Sequence, residues 1–138
     1  MTVKYKFIFN FAVTRTGGGL KRLYEYSKWF HNKGGAYFII HPSCKFLIKE
    51  FKKNQYFVVL QSPIERLFKD CGYLLDIKKV IEKPNLYYSY GIPIYFDFGV
   101  INWFHLSNIL PLNYKNKGLS FFDRNIRIKL LGWKMIKN

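Results

Sequence analysis

Residues 3–20 read VKYKFIFNFAVTRTGGGL, and the change of rhythm inside this stretch decides the fold class. Apolar residues stand at Val3, Tyr5, Phe7, Phe9 and Phe11, the period of two expected of a strand. Thr14-Arg15-Thr16-Gly17-Gly18-Gly19 breaks that alternation. From Leu20 the period lengthens. Leu20, Leu23, Tyr24, Ser27 and Phe30 share one helical face, Lys21, Arg22, Glu25 and Lys28 share another, and Gly34-Gly35 closes the run. The order is strand, glycine loop, helix.

The same alternation of periods continues outward. Ala36–His41 (AYFIIH) predicts a short buried strand ended by Pro42, with Ser43 as the cap of a brief helix through Phe51. Tyr56–Leu60 (YFVVL) predicts a third strand. It runs into Ser62-Pro63-Ile64-Glu65, where a capping Ser, a first-turn Pro and a capping-box Glu coincide. A helix is expected from Pro63 to Leu75, with Ile64, Leu67, Phe68, Cys71 and Leu75 as its apolar stripe. Leu86–Tyr90 and Ile101–Leu106 predict two more strands with turns at Gly91-Ile92-Pro93 and Phe98-Gly99. Leu119–Ile136 predicts a cationic helix with Leu119, Phe122, Ile126, Leu130 and Trp133 on one face. Strands alternating with helices predict an α/β fold built of βαβ units, with a mostly parallel sheet and helices on both faces. Parallel order does not follow from periodicity, because the alternating first strand equally suits an antiparallel edge.

The chain has 138 residues, one domain's worth, and 49% of them are hydrophobic, including 14 Phe, 11 Tyr and 3 Trp. That composition excludes disorder. The 23 Lys and Arg against 8 Asp and Glu give a net charge of +15, which points to a negative partner: nucleic acid, an anionic membrane face or a phosphorylated substrate. Charge is unevenly placed. Between Pro84 and Tyr114 there is no Lys or Arg and there are nine aromatics, so this segment is expected in the interior or lining a cleft. Cys44 and Cys71 show no CxxC spacing and no clustered His, which argues against a disulfide framework and a zinc site and predicts a reducing cytosol. The amino-terminal stretch does not have the form of a signal peptide, and Asp97, Asn102, His105 and Asn108 interrupt the most apolar region, so no membrane span is expected.

Two places carry candidate chemistry. Gly17, Gly18 and Gly19 allow backbone amides to approach a phosphate at a helix N-terminus, although the run lacks the Lys-Ser/Thr of a P-loop and the spacing of GxGxxG, and a plain strand-to-helix turn is the better reading of these residues by themselves. The second is Asn102-Trp103-Phe104-His105-Leu106-Ser107-Asn108, where polar groups appear abruptly at the end of an apolar strand. Ligands of open α/β sheets bind outside the carboxyl ends of strands. His105 can exchange a hydrogen bond near neutral pH, and Ser107 and Asn108 add polar contacts or cap a turn. His31, near a helix end, and His41, before Pro42, fit surface or turn positions. The eight carboxylates are scattered with no pair spaced for acid/base work, and neither GxSxG nor HExxH occurs.

Thr16-Gly17-Gly18-Gly19-Leu20 between strand and helix, Gly34-Gly35 before the second strand, then Tyr87-Tyr88-Ser89-Tyr90-Gly91-Ile92-Pro93, Asn102 to Asn108 and Leu110-Pro111 together resemble the N-terminal domain of bacterial family 4 glycosyltransferases of the GT-B fold. The resemblance spans nearly the whole chain. It implies a Rossmann-like three-layer αβα domain, residues 1–138, holding chiefly the acceptor, with the C-terminal nucleotide-sugar domain and its paired-glutamate motif absent. It implies transfer of a sugar from a nucleotide-sugar donor to a glycan or lipid-linked acceptor in cell-surface polysaccharide synthesis, in the cytoplasm or peripherally at the inner membrane face. By position, Gly17, Gly18 and Gly19 would approach the donor diphosphate, His105 would face the transferred sugar, and Thr16, Ser107 and Asn108 would touch sugar or acceptor. No metal or cofactor is implied. The domain is expected to be incomplete, since no strand follows the last predicted helix, and inactive alone, with a separate C-terminal half as a partner. The alternative is a basic module binding nucleic acid or an anionic membrane without catalysis. Aromatics concentrated where basic residues are absent disfavour nucleic acid.

Overall fold

The computed structural model describes residues 2–49, 51–61, 72–92, 94 and 97–105. Among them, β1 (Phe7–Phe11), β2 (Ala36–Ile40), β3 (Tyr56–Val58), β4 (Leu86–Tyr90) and β5 (Ile101–His105) form one sheet in the order β3-β2-β1-β4-β5. Every pairing is parallel. Strand β1, whose alternation also suited an edge, is central: its side chains from Ile8 onward are buried because both faces of the sheet are covered there.

Register explains the two faces. Phe7, Phe9 and Phe11 lie level with Leu86 and Tyr88 on one side and with Ala36, Phe38 and Ile40 on the other. These side chains and Leu23 of helix α1 (Gly17–Lys33) make an aromatic-rich core together with Cys44, Ile48 and Phe51. Ile8, Tyr37, Ile39 and Tyr87 point to the opposite face, where Leu74 and Ile77 of helix α2 (Gly72–Val80) cover them. Helices on both faces of a parallel sheet make the three-layer αβα, Rossmann-like architecture.

Several boundaries differ from expectation for local reasons. The first strand begins at Phe7 rather than Val3, because the ladder starts only where the Gly34-Gly35 turn brings β2 alongside; Lys6 N and Phe7 N both donate to Gly35 O. Val3 instead makes a single parallel bridge to Ile81. Helix α1 begins at Gly17, before the first apolar repeat. The stretch after β2 is a 3-10 helix, Pro42–Ile48, and its cap is His41, whose Nδ1 accepts from Ser43 N, rather than Ser43. Strand β3 stops at Val58. Helix α2 runs to Val80, beyond the expected end at Leu75, and Leu75 is exposed: the inward positions follow the spacing of Leu74, Ile77 and Ile81. Residues 62–71, including Cys71, and the cationic helix expected over Leu119–Ile136 lie outside the described residues.

Candidate functional site

The order β3-β2-β1-β4-β5 places a switch point between β1 and β4, where connections leave the two strands in opposite directions, the place where open α/β sheets take ligands outside the carboxyl ends of their strands. The chain fills that point with Thr14, Arg15 and the glycine turn. Gly17 has a φ of +70°, a left-handed conformation that glycine adopts without cost. Thr16, extended at the helix N-cap, makes no side-chain capping hydrogen bond, and no acidic residue stands in the first turn. The first amides of α1 are therefore left without a side-chain cap, at the positive end of the helix dipole, and Arg15 through Gly18 are exposed.

Gly19 is buried for a different reason. A Cβ there would lie 2.6 Å from Cε1 of Tyr90 and 3.2 Å from Cγ2 of Thr14. Tyr90, the last residue of β4, stacks in turn on His105, the last residue of β5, with ring centroids 5.0 Å apart and planes 12° from parallel. Gly91 N donates to His105 O at 3.0 Å, which closes the ladder at this end. The glycine turn and His105 thus share the carboxyl rim of the sheet, joined through one tyrosine. Partial burial, and then the nearby Arg22 charge, push the His105 imidazole below its ordinary range, so it is neutral at physiological pH. Thr16 is at the same rim, exposed. Ser107 and Asn108 lie outside the described residues.

Three contributors escaped the sequence reading. His41, expected as a surface or turn residue, is buried at the carboxyl end of β2. Its Nδ1 accepts from Ser43 N at 3.2 Å, which leaves the proton on Nε2, and among the described residues Nε2 is buried without a hydrogen-bond partner, as is Oγ1 of buried Thr14. Burial first, and then the Arg15 charge, depress the His41 pKa. Cys44 beside it is buried, and its thiol donates to Thr14 O at 3.3 Å; burial pushes the thiol pKa up, so it is a packing group and not a nucleophile. On the other face, fully buried Asn10 donates to the hydroxyls of Tyr73 (3.0 Å) and Tyr87 (2.9 Å), and its Oδ1 accepts from Ala12 N at 3.1 Å. Tyr73 passes the chain on to Gln61 at 3.0 Å. This network braces β1 where it leaves the sheet. A polar residue within an otherwise apolar strand was its signal, and Asn10 carried it.

Chemically, the rim offers uncapped amides, exposed Arg15, the neutral His105 imidazole and the Tyr90 ring, with buried His41 behind them. These suit an anion flanked by hydroxyl-bearing groups. Among the described residues no three His, Cys, Asp or Glu side chains come together as a metal site, and no helix is long and apolar enough to cross a membrane. Comparison with protein-family models, with curated proteins and with solved structures returns no match.

Proposed function

We propose that the chain is the acceptor-side domain of a glycosyltransferase, in which the rim between β1 and β4 receives a nucleotide-sugar donor: Gly17, Gly18 and Gly19 face its diphosphate and His105 faces the transferred sugar. The supporting observation is the contact of Gly19 with Tyr90 and the stacking of Tyr90 on His105, which put amide donors and a neutral imidazole on one rim. Amide dipoles oppose phosphate charge, and a neutral imidazole exchanges hydrogen bonds with a sugar hydroxyl without adding a charge. No turnover is expected of these residues alone, since they supply neither the paired glutamates nor the nucleotide-holding wall that the resemblance associates with the second domain. Saturation-transfer NMR with a nucleoside diphosphate hexose at millimolar concentration tests the proposal. Transfer to the sugar protons that is lost with the corresponding nucleoside is the expected result; equal transfer to the nucleoside contradicts it.

A second role of the same molecule is favoured by the outer face of α1. Tyr24 and Trp29 are exposed there beside Lys21 and Lys28, and Lys33 Nζ lies 3.6 Å from the centre of the Trp29 ring. An amphipathic indole under a cationic fringe suits the headgroup layer of an anionic bilayer. Such contact would bring a lipid-linked acceptor to the rim. Sedimentation with vesicles tests it: binding should rise with phosphatidylserine content and fall in Trp29→Ala, and indifference to both would contradict it.

A further inference from the structure

Among the described residues, no helix packs over strand β5 on the α1 side of the sheet. Its register sets Ile101, Trp103 and His105 on the face occupied by Leu86, Tyr88 and Tyr90 of β4. No β5 side chain enters the α1-side core, and Ile101 and Trp103 are 60% and 59% exposed. The patch is organised and not merely apolar. Tyr88 meets Trp103 edge-on at 6.0 Å and His105 at 6.0 Å, and Tyr90 stacks on His105. Arg22, from the second turn of α1, stands against Tyr26 and Tyr88, which keep it firmly protonated, and its charge reaches His105. Asp76 and Asp97 pair with Lys79 and Lys83, and Arg22 makes no ion pair with any described carboxylate. Tyr88 is 3% exposed, its hydroxyl has Arg22 as polar neighbour but no hydrogen bond of full geometry among the described residues, and burial pushes its pKa up to about 12.

We propose that this face binds an anionic saccharide, with a sugar ring lying on the Trp103 indole, its hydroxyls at His105 and its carboxylate or phosphate at Arg22. The C–H face of a pyranose is the complement of an exposed indole, a neutral imidazole serves as either donor or acceptor, and a guanidinium forks onto a carboxylate or phosphate. A single-stranded nucleic acid fits less well. Its backbone is tracked by a positively charged groove, and β4 and β5, which carry the aromatic face, have no Lys or Arg. Identification of this saccharide with the acceptor rests on the sugar-transfer reading above; the binding itself does not.

The test is a 15N–1H NMR titration of the 138-residue chain, with the Trp103 indole signal assigned through Trp103→Phe. The probes are galacturonic acid trisaccharide, a hexose 6-phosphate, neutral maltotriose and a thymidine oligonucleotide. At least one anionic saccharide should move the Trp103 signal and bind at least tenfold more tightly than maltotriose, and the two anionic probes tell a carboxylate from a phosphate. Arg22→Gln should lose about tenfold, whereas Lys6→Gln, the same charge change at the amino end of β1, should lose less than twofold. Equal binding of maltotriose, equal losses in the two variants, a silent Trp103 signal, or tighter binding of the oligonucleotide at Trp103 would each overturn the proposal. A nucleoside diphosphate hexose is titrated in parallel. If it leaves the Gly17–Gly19 amides unmoved, the transferase reading fails, and the saccharide site still stands or falls on Trp103.

Discussion

The ring of Tyr90 occupies the space that a side chain at Gly19 would need, with Cε1 only 2.6 Å from the position of such a Cβ. The same ring stacks on His105, so the first helix and the last described strand are held to one rim by a single aromatic group. Close approach of helix to strand at this point is what brings the amide end of α1 beside an imidazole.

Gly19→Ala should therefore push α1 off Tyr90 and destabilise the fold by about 1–3 kcal/mol, the usual cost of forcing extra volume into a packed site. Gly18→Ala is the control. Nothing lies within 4 Å of a Cβ at that position, so the substitution should leave stability unchanged or raise it by up to about 1 kcal/mol. Urea denaturation of the two variants separates these outcomes.

Asn10→Ala should cost about 1–3 kcal/mol, because it strips a buried acceptor from Ala12 N and a donor from the Tyr73 and Tyr87 hydroxyls inside the core. Loss in urea midpoint with an unchanged slope is the expected signature.

Stability should fall on mild acidification. His41 and His105 both have folded pKa values below the ordinary 6.5, chiefly through burial. Between the depressed values and 6.5 the unfolded chain binds more protons than the folded one, so stability rises with pH across that window and is lost as pH drops through it. Thermal unfolding at pH 5.0 should come at lower temperature than at pH 7.5, and His41→Gln with His105→Gln should flatten the difference. Asp97 titrates separately and lower: Lys83, then Asn102, hold its carboxyl below the usual range, so its contribution is lost only in stronger acid.

Tyr88→Phe removes a buried hydroxyl that makes no hydrogen bond among the described residues and has Arg22 as its polar neighbour, so stability should change by less than about 1 kcal/mol. Thermal denaturation checks this. A clear loss of stability would show that the hydroxyl is bonded in the folded chain.

Much of this architecture was legible in the residues. The switch from period two to a helical period around Gly17–Gly19, and the apolar runs AYFII and LYYSY, located β1, α1, β2 and β4 to within a few positions. Parallel order was not legible from β1, whose lysine alternation belongs to residues 3–6, ahead of the ladder. His41 was missed because Pro42 made it read as a turn; burial came from the neighbouring 3-10 helix folding back over the α1-side core, a tertiary effect invisible to local pattern. The phase of α2 was missed for a related reason: Leu74 and Ile77 face the sheet because it has apolar partners for them, which intrinsic spacing through Cys71 and Leu75 does not reveal.

The most direct test of the central claim is backbone and imidazole chemical-shift mapping during titration with a nucleoside diphosphate hexose. The amides of Gly17, Gly18 and Gly19 and the ring of His105 should move together along one saturation curve, while Gly34 and Gly35, in the turn before β2 at the amino end of the sheet, stay still. Movement of the glycine amides without His105, or shifts centred on Gly34 and Gly35, would contradict a single sugar-nucleotide rim.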